Sequence, residues 1–290
     1  MLNRKIDNEI DAHFSNSKKA LFLTGARQVG KTYSIRKYAK RHGLNLIEFN
    51  FLLQPEAMDI INGAGDVKEL LLRISAYSRI PLVQSRTLIF FDEVQECPDV
   101  MTWVKALVDE GSYIYALSGS LLGVELKDIR SVPVGYMSEM QVYPMDFEEF
   151  VSAVGVPENV LDAVKKSWSE KTLVDAYIHE KMMQLFQLYI IVGGMPAAVQ
   201  TYIDSNNIQN VVKEQRDIIN LYKKDIARYD QDVRKKLYIN EVFDLIPSEL
   251  NAKNKRFILK RLNENMTFGR HENDFIWLKD ADMALPTYNV

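Results

Sequence analysis

The chain of 290 residues is 47% hydrophobic and 26% charged with a formal net charge of -3, enough apolar content for one sizeable α/β core and a smaller second or third unit. Its single cysteine, Cys97, excludes an internal disulfide framework and a multi-cysteine metal site, reads as a buried small side chain, and fits a reducing, cytoplasmic location. The N-terminus MLNRKIDNEIDAHF lacks the unbroken apolar core of a secretory signal, and the most apolar segment, 185–199, is interrupted by Gly193, Gly194 and Pro196, so it reads as buried core and no membrane partner is expected.

In chain order, short apolar runs alternate with longer amphipathic ones, the pattern of β-α units around a parallel sheet. Ile6, Ile10 and Phe14 recur at helical spacing. ALFLT (20–24) reads as a buried strand, TYSIRKYAKRHG (32–43) as a helix closed by Gly43, and LNLIEFN (44–50) as a second strand. Val67, Leu70, Leu71 and Ile74 share a helical face, TLIFF (87–91) is a third strand, DVMTWVKALVD (99–109) a helix and YIYALS (113–118) a fourth strand. No internal repeat or low-complexity tract interrupts the series.

Gly25 to Thr32 reads glycine, four residues, then Gly30-Lys31-Thr32, after a buried strand and at a helix start. The first amides of a helix have no partners within it, and its dipole favours negative charge there, so phosphate oxygens fit that position. Gly25 and Gly30 permit the backbone geometry and close approach that a side chain blocks. Gly25, Ala26, Arg27, Gln28, Val29, Gly30, Lys31, Thr32 and Tyr33 therefore form the candidate ATP-binding segment, with Lys31 directed to the β- and γ-phosphates and the Thr32 hydroxyl to Mg²⁺. LIFFDE adds Asp92 and Glu93 at a strand's carboxyl end, Asp92 to orient the metal shell and Glu93 to polarise the attacking water. In LSGSLLG (117–123), Ser118 or Ser120 stands where a hydroxyl can bond the water or the γ-phosphate, although serine and glycine after a strand are also ordinary turn formers. Arg27, Arg130 and Arg228 are all candidates for stabilising transition-state charge. The four histidines, His13, His42, His179 and His271, have no ligand spacing, and zinc is not expected.

With those residues in place, the chain resembles the AAA+-like P-loop ATPases of bacteria and archaea that carry a C-terminal domain of unknown function. The likeness rests on LTGARQVGKT, IFFDEVQECPD, LSGSLLG, SVPVGYMSEMQVYPMDFEEF, YIIVGGMPAAVQTYI and QRDIINLYKKDIARY, in family order over nearly the whole chain. The first two strings occur in many P-loop ATPases, whereas YPMDFEEF and GGMP point to this family. The resemblance implies a parallel sheet with an additional strand between the phosphate-loop (Walker A) strand and the Asp-Glu (Walker B) strand, a helical lid, a winged-helix segment and, in full-length members, a terminal nuclease-like module. Tyr136 stands where relatives usually carry a basic residue, so a charge contributed there to ATP sensing is not carried over. The sequence ends at Val290 without the nuclease-like module, as expected of a truncated or shortened member.

The second half agrees with a lid by its own pattern. Val211, Gln215, Ile218, Tyr222, Ile226 and Tyr229 step by threes and fours as a packing stripe. Gly193 and Gly194 in GGMPAAV mark either a tight backbone passage near the nucleotide or a helix junction, and in YPMDFEEF Asp146 and Glu149 have capping-box spacing. From residue 233, LYINEVFDLI reads as a helix stopped by Pro247, followed by the basic helix NKRFILKRLNEN, a third helix ENDFIWLKDADM and a strand ALPTYNV, a winged-helix plan. Expected boundaries are therefore 1–150 for the ATPase core, 151–232 for the lid and 233–290 for the winged-helix-like segment. Residues 213–270 carry 14 basic and 9 acidic groups, and residues 271–290 carry 1 and 4. That distribution leaves open a DNA contact, a protein-docking unit or a solvated helical face for 233–290. Mg²⁺-dependent ATP hydrolysis driving a conformational change is the leading expectation. A nucleotide-controlled switch with little turnover that engages DNA or a protein is the alternative, and the paired carboxylates disfavour a small-molecule kinase. A homo-oligomer completing its sites between subunits fits the general class.

Overall fold

The protein is described by a computed structural model over residues 2–119, 135–229, 233–252 and 275–285. Helix α1 (Lys5–Asn16) leads into β1 (Ala20–Thr24), followed by α2 (Lys31–Arg41), β2 (Asn45–Asn50), α3 (Met58–Asn62), α4 (Val67–Ser78), β3 (Thr87–Asp92), α5 (Val100–Glu110), β4 (Ile114–Ser118) and β5 (Met137–Gln141). The strands form one five-stranded sheet in the order β2-β3-β4-β1-β5, parallel at every pairing. β4 therefore separates the strand before the phosphate loop from the strand ending in Asp92, the additional-strand arrangement of the P-loop NTPase fold.

The two faces of this sheet follow from strand alternation. Ala20, Phe22, Ile89, Phe91, Tyr115 and Leu117 point to one side, where they pack with Leu70, Leu71 and Ile74 of α4 and with Val100, Met101, Val104 and Leu107 of α5. Leu21, Leu23, Leu88, Phe90 and Ala116 point to the other, against Ile6 and Ile10 of α1 and Ile35 and Tyr38 of α2. Helices on both faces explain why Ala20–Leu23 of β1 and Leu88–Phe91 of β3 are apolar in succession instead of alternating with polar residues. Cys97 is buried in the first layer, where burial pushes its thiol up to about 11.

Beyond the sheet come α6 (Phe147–Ala153), α7 (Glu158–Glu170), α8 (Ala176–Val192), α9 (Pro196–Ser205) and α10 (Ile208–Tyr229). They share a core of Met145, Phe150, Val151, Leu161, Val192, Ala198, Val199 and Val211. The capping box at α6 forms: Asp146 accepts from the Glu149 amide at 2.8 Å, and Glu149 accepts from the Asp146 amide at 3.0 Å. Segment 185–199 differs from the expected buried core. Val192, Ala198 and Val199 are buried, but Phe186, Ile190 and Ile191 of α8 are exposed: the helix meets α6, α9 and α10, and these three side chains point away from them. α8 and α9 are bent by 118° at Gly193 and Gly194, and no single helix among the described residues is long and apolar enough to cross a membrane.

α11 runs from Val233 to Asn251 and so continues through Pro247, which the sequence marked as a stop. Proline removes one donor and crowds the preceding turn. Here it lies close to the helix end, where the Ser248 hydroxyl donates to the Leu245 carbonyl at 2.8 Å. Within the described residues a further helix covers 275–280, ending three residues before the expected third helix does, and with α11 and Ile226 it closes a cluster containing Ile239, Val242, Trp277, Leu278 and Ala281. The expected basic helix and most of the expected strand ALPTYNV lie outside the described residues.

Candidate functional site

Strand register assembles the site at the carboxyl edge of the sheet. Asn50 pairs with Asp92 across β2 and β3, and Leu23 pairs with Ser118 across β1 and β4. Asp92 is 2% exposed, and three side chains donate to its carboxylate. The Thr32 hydroxyl reaches Oδ2 at 3.0 Å, the Asn50 amide reaches the same oxygen at 2.9 Å, and the Ser118 hydroxyl reaches Oδ1. Burial holds this carboxyl above its ordinary value, partly offset by the Ser118 and Thr32 hydrogen bonds. Asn50 was not among the residues singled out from sequence. Its only signal there was its place as the last residue of LNLIEFN, which the register converts into a contact.

The loop leaves β1 at Gly25, which has φ +132° and fits because a Cβ there would stand 2.2 Å from the Val142 carbonyl oxygen. Ala26 and Val29 are buried in the α1–α2 layer, anchoring the loop, while Gly30 at φ +101° forms the N-cap of α2. The Lys31 ammonium donates to the Gly25 and Ala26 carbonyls at 2.7 and 2.8 Å. Burial lowers its pKa to about 8, against the opposing attraction of Glu93, Asp92 and Asp282. Tyr33 faces outward at 42% exposure. Glu93 directly follows β3 with φ 57° and ψ 50°, a left-handed conformation that is uncommon for a side chain of this size. Its carboxylate accepts from the buried Gln95 amide.

Several neighbours come from distant sequence. Arg4, at the start of α1, is 8% exposed and donates to the Val29 carbonyl at 2.8 Å, the Tyr143 carbonyl at 2.7 Å and Glu149 at 3.0 Å. Arg27 pairs with Asp225 of α10 at 2.8 Å, and the Tyr222 hydroxyl donates to the Arg27 carbonyl at 3.0 Å. Gln141 donates to Asp282, whose segment also packs through Met283 onto the layer that holds Ala26 and Val29. Ser120, Arg130 and the Arg228 side chain lie outside the described residues.

Beside the loop, Leu2, Arg4, Gly30, Tyr33, Ser34, Pro196 and Gln200 line a cavity of about 240 Å³. Among the described residues, the buried Ser34 hydroxyl there has no hydrogen-bond partner. GGMP forms a helix junction beside the loop. Met145 donates to the Gly194 carbonyl at 2.7 Å in a tight helix junction, and Pro196 reaches the cavity next to Gly30. Tyr136 immediately precedes β5, with the Lys105 ammonium 5.4 Å from its ring.

Residues 17–151 match the family described as an AAA domain, and residues 183–290 match one described as a domain of unknown function (DUF8612). No curated protein matches the sequence. Among solved structures, the Walker-type ATPase PABY2304 of Pyrococcus abyssi is similar at 14% identity and a TM-score of 0.57, with 97% of this chain and 90% of that chain covered. At that identity the likeness concerns the fold. A looser likeness is to PCH-2 of C. elegans, at 13% identity and a TM-score of 0.42, covering 74% of this chain and 70% of that one. The Drosophila ORC bound to DNA stands at 13% identity and 0.42, covering 96% and 81%. Neither of these two carries any argument.

Proposed function

Because the chain belongs to the AAA-type P-loop ATPases that carry a C-terminal domain of unknown function, we propose that it binds and hydrolyses ATP with Mg²⁺ to drive a conformational change. The observation that carries this reading is the contact between Thr32 and Asp92, which unites the helix that opens at the loop with the acidic end of β3. A hydroxyl and a carboxylate in contact form an oxygen donor set suited to a hard divalent cation. The Ser34 hydroxyl and the apolar cavity beside Gly30 suit the base end of a nucleotide. At about 240 Å³ the cavity falls below the roughly 300–1,000 Å³ of whole-ligand pockets, so it suits a base whose phosphates lie outside, along the loop.

In this arrangement the amides from Gly25 to Tyr33 cradle the phosphates, Lys31 places its ammonium against the terminal ones, and Thr32 and Asp92 hold the metal shell. Bound Mg²⁺ supplies charge neutralisation across the terminal phosphates. Glu93 orients the attacking water and accepts its proton, and Ser118 keeps Asp92 aimed at the metal position. Turnover then depends on positioning and charge stabilisation more than on covalent chemistry. In Glu93→Gln, phosphate release is expected to fall by at least about 100-fold, the lower range for losing general acid–base assistance, while nucleotide affinity is kept. Turnover at the parent rate would remove Glu93 from the mechanism.

Residues 1–150, 151–232 and 233–290 are proposed as core, lid and a third unit, although α6 straddles the first boundary. The separate cluster around Trp277 and Ile239 supports the third unit. The basic balance of 213–270 favours a second reading, a nucleotide-controlled switch that engages DNA or a protein through 233–290. Phosphate release with and without duplex DNA, together with a salt series of DNA binding, separates the two readings.

A further inference from the structure

We propose that Asp225, with Tyr222 one turn before it, is a positioning residue that sets the phosphate loop through Arg27, so that the C-terminal domain of unknown function completes the nucleotide site. The proposal rests on the nucleotide reading of that loop.

One face of α10 holds Arg27 at both ends. The Asp225 carboxylate takes the guanidinium at 2.8 Å, with the two side chains 2% and 12% exposed, and the Tyr222 hydroxyl takes the carbonyl at 3.0 Å. Positions three apart on a helix lie on one face, so a single element sets both contacts. Directly after Arg27, Gln28 adopts φ 63° and, two residues further, Gly30 adopts φ 101°. A non-glycine residue in that region is strained and persists only where its surroundings over-determine it. A neighbour fixed through both its carbonyl and its side chain supplies that constraint, and the constrained backbone is the stretch whose amides face phosphate.

The same helix is anchored on both sides of the clamp. Ile218 and Tyr222 share the buried layer with Ala26 and Val29, whereas Ile226 enters the cluster with Trp277 and Leu278. Loop geometry and the packing of the C-terminal segment are therefore joined through one rigid element. Arg27, considered from sequence as a donor to transition-state charge, is here held by an acid of the C-terminal region. Asp225 acts on nucleotide only through it.

The test is calorimetric titration of Mg·ATP into the full chain, with thermal melting of each protein without nucleotide. Tyr222→Phe keeps the ring in the core and removes one hydroxyl, and is expected to weaken binding roughly threefold to tenfold, the range for one net hydrogen bond, with the nucleotide-free melt lowered by no more than about 4 °C. Asp225→Asn is expected to weaken it by about tenfold or more, and the Arg27→Ala, Asp225→Asn double variant to bind no more weakly than Arg27→Ala alone. Parent-like affinity in both single variants, tighter binding in Asp225→Asn, or additive losses in the double variant would overturn the proposal while leaving the nucleotide site standing. No saturable heat from the parent would overturn the nucleotide reading and this proposal with it.

Discussion

Lys31 is required to be charged when it faces phosphate, yet its burial favours the neutral amine, with a pKa lowered from 10.5 to about 8. ATP affinity should therefore fall as pH rises through about 8, with net proton uptake on binding visible in calorimetry across buffers of different ionisation heat. Stability responds in the opposite sense. The folded state releases this proton near pH 8 and the unfolded chain holds it to about 10.5, so within that window the unfolded state binds more protons and the contribution of Lys31 to stability rises with pH. Relative to Lys31→Met, the parent should gain up to about 3 kcal/mol in denaturation experiments between those limits, at ~1.4 kcal/mol per unit. A flat difference would place Lys31 at its ordinary value. Below pH 8 the burial cost stands in full.

At the scale of elements, the joint between α1, the loop and α6 depends on one carboxylate. Glu149 accepts from its capping partner's amide, from Arg4 at 3.0 Å and from the Lys5 amide at 2.6 Å, with Arg4 and Glu149 side chains only 6% and 7% exposed. Asp146→Ala removes a cap and should cost about 1 kcal/mol, whereas Glu149→Ala strands a buried guanidinium and should cost roughly 3–5 kcal/mol. Urea denaturation of the two variants checks the order, and equal costs would reduce Glu149 to a cap. The same elements mark the limit of legibility. The strands β1 to β4 were readable because ALFLT and TLIFF are apolar on both faces, and the loop because its glycines and lysine stand at fixed spacing. β5, MSEMQ, was not, since an edge strand leaves Glu139 and Gln141 exposed and breaks the apolar run. α11 continues through Pro247, although a proline there gives up the bond to the carbonyl four residues back and crowds that turn, so the residue type alone marks a stop that the fold overrides.

Across the whole molecule, α10 passes through three packed clusters, with Val211 in the helical core around Phe150, Ile218 and Tyr222 behind the loop from Gly25 to Gly30, and Ile226 beside Trp277. Its amphipathic spacing was visible in sequence; its partners were not. Tyr222 meets Arg27 across 195 residues, and no local pattern encodes a contact at that separation. A helix shared among three cores cannot shift at one without disturbing the others, which is the physical basis of the coupling proposed between nucleotide and the C-terminal region. The most direct measurement is the heat of Mg·ATP binding to the parent and to Lys31→Ala. The parent should give a saturable isotherm, and the variant should bind at least about thirtyfold more weakly, equivalent to ~2 kcal/mol for truncating a buried charged contact. No heat from the parent at millimolar Mg·ATP, or the same isotherm from both proteins, would contradict a nucleotide site at this loop.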